Sequence, residues 1–117
     1  MLAVSNTSPI FNLACINRLN LLHDQFADVW IPQAVEEELR NVSEGAIRKT
    51  IEQASQTGWL KTRTASNASL ISFLRVDLHQ GEAEAIALAL EVKANRLLID
   101  ERDGRTWARQ LGLALTG

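Results

Sequence analysis

The side chains with the most chemical potential in this chain are oxygen donors: Asn6, Glu38, Glu84 and Asp100, with Glu82 and Asp103 close by. Asn6 and Asp100 follow short apolar runs, and Glu84 opens one. Three or four carboxyl-type groups converging on one crevice would repel one another and favour their protonated forms. A hard divalent cation relieves that repulsion, and Mg²⁺ or Mn²⁺ takes oxygen ligands while keeping several waters. Other chemistries lack their residues. There is no Cys/His cluster for zinc, and neither a glycine-rich phosphate loop, a Ser-His-Asp signature nor a dinucleotide fingerprint. His23 and His79 lie in polar flanks and read as surface residues. Plainer roles exist for every acid. Glu82 and Glu84 in a first helical turn favour the helix dipole, Asp100 can cap a following helix, and Asn6 can be a turn former.

The elements that must position these groups follow from the apolar spacing. Gln80 to Asp103, QGEAEAIALALEVKANRLLIDERD, predicts a helix that is apolar on nearly every side and therefore buried. Asp77 with Gln80 resembles a capping box ahead of it, and Asn95 is the expected left-handed terminator. Leu97-Leu98-Ile99 reads as an interior strand that delivers Asp100 at its C-terminal end. At the other end of the chain, Leu2-Ala3-Val4 is a strand, with Asn6 at its C-terminal turn. Ser8 is then the expected N-cap and Pro9 the first position of a helix broken near Asn17. Val29-Trp30-Ile31 is a second strand. Pro32 starts a helix on which Glu38, four residues from Ala34 and three from Val35, lies nearest the buried stripe. A helix over residues 44–57 closed by Gly58 precedes a third strand at Trp59-Leu60 with Thr62 and Thr64. Leu70 to Leu74 supplies one or two helical turns. A last helix around Thr106, Trp107 and Leu111 ends at Gly112, and Leu113-Ala114-Leu115 is the final strand.

Strands alternating with helices predict an α/β three-layer sandwich with a five-stranded parallel sheet, order 3-2-1-4-5. In that order Asn6 and Asp100 end adjacent strands at the edge of the sheet where ligands bind. The 117 residues make a single domain, residues 1–117, with 46% hydrophobic residues and no apolar run near the ~20 residues a membrane span needs. The lone Cys15 fits a reducing cytoplasm and reads as a core thiol. A net charge of −2 sets up no global basic field, so nucleic-acid contact must be local. Arg102, Arg105 and Arg109 form such a stripe at i, i+3, i+7, which reads equally as a solvated helix face. Trp107, on another side of that helix, is expected in the core or an interface.

Four motifs in order, Asn6-Thr7-Ser8-Pro9, Ile31-Pro32-x-x-Val35-x-x-Glu38-Leu39, Gly81-Glu82-Ala83-Glu84-Ala85-Ile86 and Leu98-Ile99-Asp100, resemble the PIN-domain nucleases over almost the whole chain. The chain resembles the PilT N-terminus-like proteins and the VapC-type toxins, in a sub-branch that shares the first motif Asn-Thr-Ser-Pro. The resemblance implies Mg²⁺- or Mn²⁺-dependent hydrolysis of RNA phosphodiesters by the toxin of a toxin–antitoxin pair. Its partners would be an RNA substrate and a cognate antitoxin, with a homodimer left open and no membrane. Carried over by position, Glu38, Glu84 and Asp100 are catalytic, Asn6, Glu84, Asp100 and Asp103 hold the metal, and Arg102, Arg105 and Arg109 touch RNA. Two departures stand out. Asn6 replaces the family's usual Asp, and relatives continue beyond position 117, so a truncated C-terminus is expected. The rival reading is a catalytically degenerate PIN-like module that acts by binding protein or RNA.

Overall fold

A computed structural model describes residues 1–100 and 102–116, the side chains of Asp103 and Thr116 excepted. The elements run β1 (Leu2–Ser5), α1 (Thr7–Cys15), α2 (Asn20–Phe26), β2 (Asp28–Ile31), α3 (Gln33–Arg40) and α4 (Gly45–Thr57). They continue with β3 (Leu60–Thr62), α5 (Ala68–Leu74), α6 (Gln80–Glu91), β4 (Arg96–Leu98), α7 (Arg102–Gln110) and β5 (Leu115–Thr116). Strands β3, β2, β1 and β4 lie side by side in that order and all pair in parallel. Ser5 is opposite Leu98, so the ends of β1 and β4 deliver Asn6 and Asp100 to the same edge of the sheet. Beyond β4, among the described residues, the two-residue β5 pairs in parallel, Leu115 with Leu97 and Thr116 with Leu98.

Side chains alternate across the sheet and divide the core in two. Ala3, Val29 and Ile31 join Ile10, Leu22, Phe26, Val35, Leu39 and Ile51 beneath α1 to α4. Val4, Leu97 and Ile99 join Leu74, Ile86, Leu88 and Ala108 beneath α5 to α7. Helix α6 is buried from Gly81 to Ala89 except at Glu84, as its lack of a polar side requires. Each fully buried Ile or Leu there contributes about 1.5–3 kcal/mol. Among the described residues no helix is long and apolar enough to cross a membrane.

Several boundaries differ from the sequence expectation, each for a local reason. Helix α1 starts at Thr7, not Pro9, and Pro9 falls in its first turn, where a missing N–H costs nothing. The start of α6 is held not by Asp77 and Gln80 but by Glu82, whose Oε1 accepts the His79 backbone N–H at 3.1 Å. Its C-terminal left-handed residue is Lys93 (φ 53°), with Ala94 N bonded to Ala89 O. Asn95 is used elsewhere: its Oδ1 accepts the Leu2 N–H at 2.8 Å and ties down the start of β1. Strand β4 ends one residue early, yet Ile99 is fully buried. Gly112 (φ 81°) ends α7, and Leu113 N bonds Ala108 O, which takes Leu113 out of the expected last strand and leaves pairing to 115–116. Cys15 is exposed, not core, because it lies on the outer side of α1 at the helix end.

Candidate functional site

At the C-terminal edge of the sheet, Asn6 occupies the N-cap position of α1, where its side chain would ordinarily accept a first-turn N–H. It makes no such bond. Asn6 is only 5% exposed, and its amide borders a cleft of about 460 Å³ shared with Thr7, Glu38, His79, Gln80 and Glu82. Its place is fixed by its own backbone N–H, which donates to Leu98 O at 3.0 Å and stitches β1 to β4 just before the turn.

Glu38 enters the cleft from the last turns of α3. Thr7 Oγ1 donates to its Oε2 at 2.7 Å, which leaves Oε1 directed at the first turn of α6. That turn can accept the approach because residue 81 is glycine. A Cβ at Gly81 would lie 2.7 Å from Glu38 Oε1, 3.4 Å from Asn6 Oδ1 and 3.5 Å from Val35 Cγ2. Two oxygens from different elements thus flank one stretch of bare backbone.

Glu82 is the third oxygen donor, 5% exposed. One carboxylate oxygen holds the His79 N–H; the other lies 3.5 Å from where a Cβ of Gly104, in the first turn of α7, would sit. Glu82 therefore caps the start of α6 and lies near the first turn of α7 while bordering the cleft. The N-termini of α1 and α6 both end here, represented by Thr7 and Gln80, and their positive dipole ends partly offset the two carboxylates.

The structure places Glu84 elsewhere. Two residues beyond Glu82 is about 200° around a helix, so Glu84 borders a neighbouring groove with Gln33, Ala34, Thr64, Ile71 and Arg75. There Glu84 Oε1 accepts the Ala34 N–H at 3.1 Å and Oε2 accepts from Gln80 Nε2. Asp100 is exposed two residues after β4, at the same sheet edge but outside the residues bordering the cleft. The side chain of Asp103 lies outside the described residues. Of the arginine stripe, Arg102 and Arg109 are exposed, whereas Arg105 Nη1 donates to Ile99 O at 2.8 Å and is half-buried. Trp107 packs edge-on against Phe73 and donates to Asp77 Oδ2 at 3.1 Å.

Sequence reasoning passed over Thr7 and Gly81, and ranked Glu82 below Glu84. A signal did exist for Gly81. Glycine inside a helix is unfavourable, so its presence marks a close approach by another group. Nothing comparable separates Glu82 from Glu84, because a helix apolar all round has no periodicity to say which acid faces the sheet edge.

The donor set is two carboxylates and an amide oxygen, with no thiolate and His79 at the rim. Such donors suit a hard divalent ion rather than zinc. Among the described residues no group of three or more His, Cys, Asp or Glu side chains is close enough to hold a metal by itself. The family model described as DUF3368, PIN domain, matches residues 2–117. No curated protein matches the chain.

Proposed function

This chain belongs to the PIN-domain family, and from that membership we propose that it is a Mg²⁺- or Mn²⁺-dependent ribonuclease acting as the toxin of a toxin–antitoxin pair in the cytoplasm. Family membership brings a nuclease-type function. The observation that supports a cation site is the approach of Asn6 Oδ1 and Glu38 Oε1 to Gly81, with Glu82 bordering the same cleft. Glycine at 81 leaves Glu38 Oε1 and Asn6 Oδ1 free of a Cβ that would crowd them, so both oxygens stay open to an ion in the cleft. Asn6, Glu38 and Glu82 would hold the cation, with Asp100 as a further carboxylate of the same sheet edge and Asp103 as the accessory ligand that the family resemblance implies.

Held there, the cation would supply Lewis-acid polarisation of a phosphodiester and stabilisation of developing negative charge. The chain's own groups do the remainder. Glu38, held by Thr7 through one oxygen, would use the other to hold the cation and so orient an attacking water beside it. Asn6 orients as a neutral donor of its amide oxygen, and Glu82 keeps the α6 turn rigid through His79. Arg102 and Arg109, exposed on α7, extend toward solvent as phosphate contacts for the RNA strand. The cognate antitoxin is a second partner, and self-association of the chain is open to sedimentation.

A second reading has specific support. Asn6 contributes no negative charge, and the described carboxylates do not make a three-acid cluster, which favours a degenerate module that binds RNA or protein without turnover. Thermal melts with and without millimolar Mn²⁺, alongside cleavage of a labelled single-stranded RNA, separate the two. The nuclease reading expects a Mn²⁺-dependent rise in Tm that is absent from a Glu38→Gln, Glu82→Gln double variant, since an ion binding only the folded state stabilises it by mass action. No shift in the wild type, with RNA left intact, hands the site to the binding module.

A further inference from the structure

We infer that Glu84 is a positioning residue: it caps α3 from across a helix–helix contact and so sets where α3 presents Glu38. This rests on the nuclease reading for its functional consequence, though not for its structural one. Helix α3 follows Pro32, which occupies the N-cap position and makes no side-chain cap. Its first-turn N–H groups therefore lack the local acceptor that Ser, Thr or Asp would supply. The Ala34 N–H finds one fifty residues away, in Glu84 Oε1 at 3.1 Å. A carboxylate is the best group for this place, because it also meets the positive end of the α3 dipole. Gln80, one turn earlier on α6, donates to Glu84 Oε2 and holds the side chain in the bonding rotamer.

The register of the two helices follows from this bond. Ala34 and Glu38 are four apart and share one side of α3; Gly81 and Glu84 are three apart and share one side of α6. Ala34 meets Glu84, and Glu38 meets Gly81, so the helices run in opposite directions with two rungs between them. The first rung is a hydrogen bond. The second is the close approach of Glu38 Oε1 to bare backbone, which holds only at one register. Without the first rung, α3 keeps the packing of Val35 and Leu39 and the bond from Thr7 on α1, but no directional bond to α6, and apolar contacts tolerate sliding better than such a bond does. Glu84 thus acts on the cleft through Glu38, from the far side of Gln80, without bordering the cleft itself.

Two substitutions and two readouts test this. Glu84→Gln keeps an acceptor oxygen for the Ala34 N–H and discards the charge; Glu84→Ala discards both. Hydrogen exchange of the α3 amides reports the cap whether or not any ion binds, and calorimetric titration with Mn²⁺ reports the cleft. For a positioning residue, E84A should exchange residues 34–38 about tenfold faster than wild type and bind Mn²⁺ about tenfold more weakly. E84Q should stay within about threefold of wild type in both. Should E84A fail to fold, E84Q against wild type still decides. An E84Q protein that loses Mn²⁺ while α3 exchanges normally would overturn the inference and make Glu84 a ligand. Unchanged α3 exchange in E84A would overturn it as well. If the wild type takes up no Mn²⁺, the nuclease reading falls, while α3 exchange still tells whether Glu84 holds the helix.

Discussion

Gly81→Ala separates the stability of this fold from the working of its cleft. By propensity alone, alanine stabilises a helix interior by up to about 1 kcal/mol over glycine, and Gly81 lies in the first turn of α6, where the gain is smaller. Against that gain stands the added methyl, 2.7 Å from Glu38 Oε1. To reach ordinary contact the carboxylate oxygen must retreat by ~0.7 Å. Glu38 is exposed and flexible, so the retreat costs little beyond weakening its bond from Thr7, about 0.5–1.5 kcal/mol and at the low end for an exposed pair. The terms nearly cancel, and Tm should move by less than about 5 °C. The cleft has no such compensation. Metal–ligand distances tolerate only about 0.2 Å, so a displacement of ~0.7 Å should weaken Mn²⁺ binding at least tenfold, with a matching loss of RNA cleavage. Calorimetric titration beside a thermal melt measures both. A G81A protein that melts like wild type and binds Mn²⁺ equally well would refute the role given to Glu38 and Asn6. One that fails to fold would show that the methyl is resisted by more than a mobile carboxylate.

Other substitutions probe the remaining groups. Asn6→Asp adds a charge at a position 5% exposed, beside Glu38; without metal its Tm should fall, and Mn²⁺ should restore it with higher affinity and faster RNA cleavage than wild type. A variant that is destabilised and gains no Mn²⁺ affinity would favour the binding module. Arg102→Gln and Arg109→Gln should each flatten the salt dependence of RNA binding by about one slope unit while leaving Tm unchanged. Arg105→Gln should instead lower stability by about 1 kcal/mol, since it removes the bond to Ile99 O; equal salt effects from all three would reject that division.

Much of this molecule is legible in its residues one stretch at a time. The apolar run of α6 could only be interior, β1, β2 and β4 appear as short apolar segments, and the alternation of strand and helix requires parallel crossovers. From these alone Asn6 and Asp100 come to the same sheet edge, because adjacent parallel strands end on the same side. Gly58 (φ 102°) and Gly112 (φ 81°) mark helix ends because only glycine takes that backbone cheaply. The last strand was less legible. Two residues of pairing leave almost no pattern to detect, and whether Leu113 pairs in the sheet or closes α7 depends on Ala108 O being within reach.

The candidate site divides along the same line. Residue types and their order place Asn6 and Asp100 at the same sheet edge, and put an acid, Glu38, on α3. Which acids face one another was decided only by the packing of α3 on α6. That contact turns Glu82 toward the cleft and Glu84 toward Ala34, and it makes Gly81 the floor on which Glu38 and Asn6 meet. The physical reason is that one helix fully surrounded by apolar neighbours carries no internal signal of orientation. Its rotation about its own axis is set by the shapes it packs against, and those belong to residues fifty positions away.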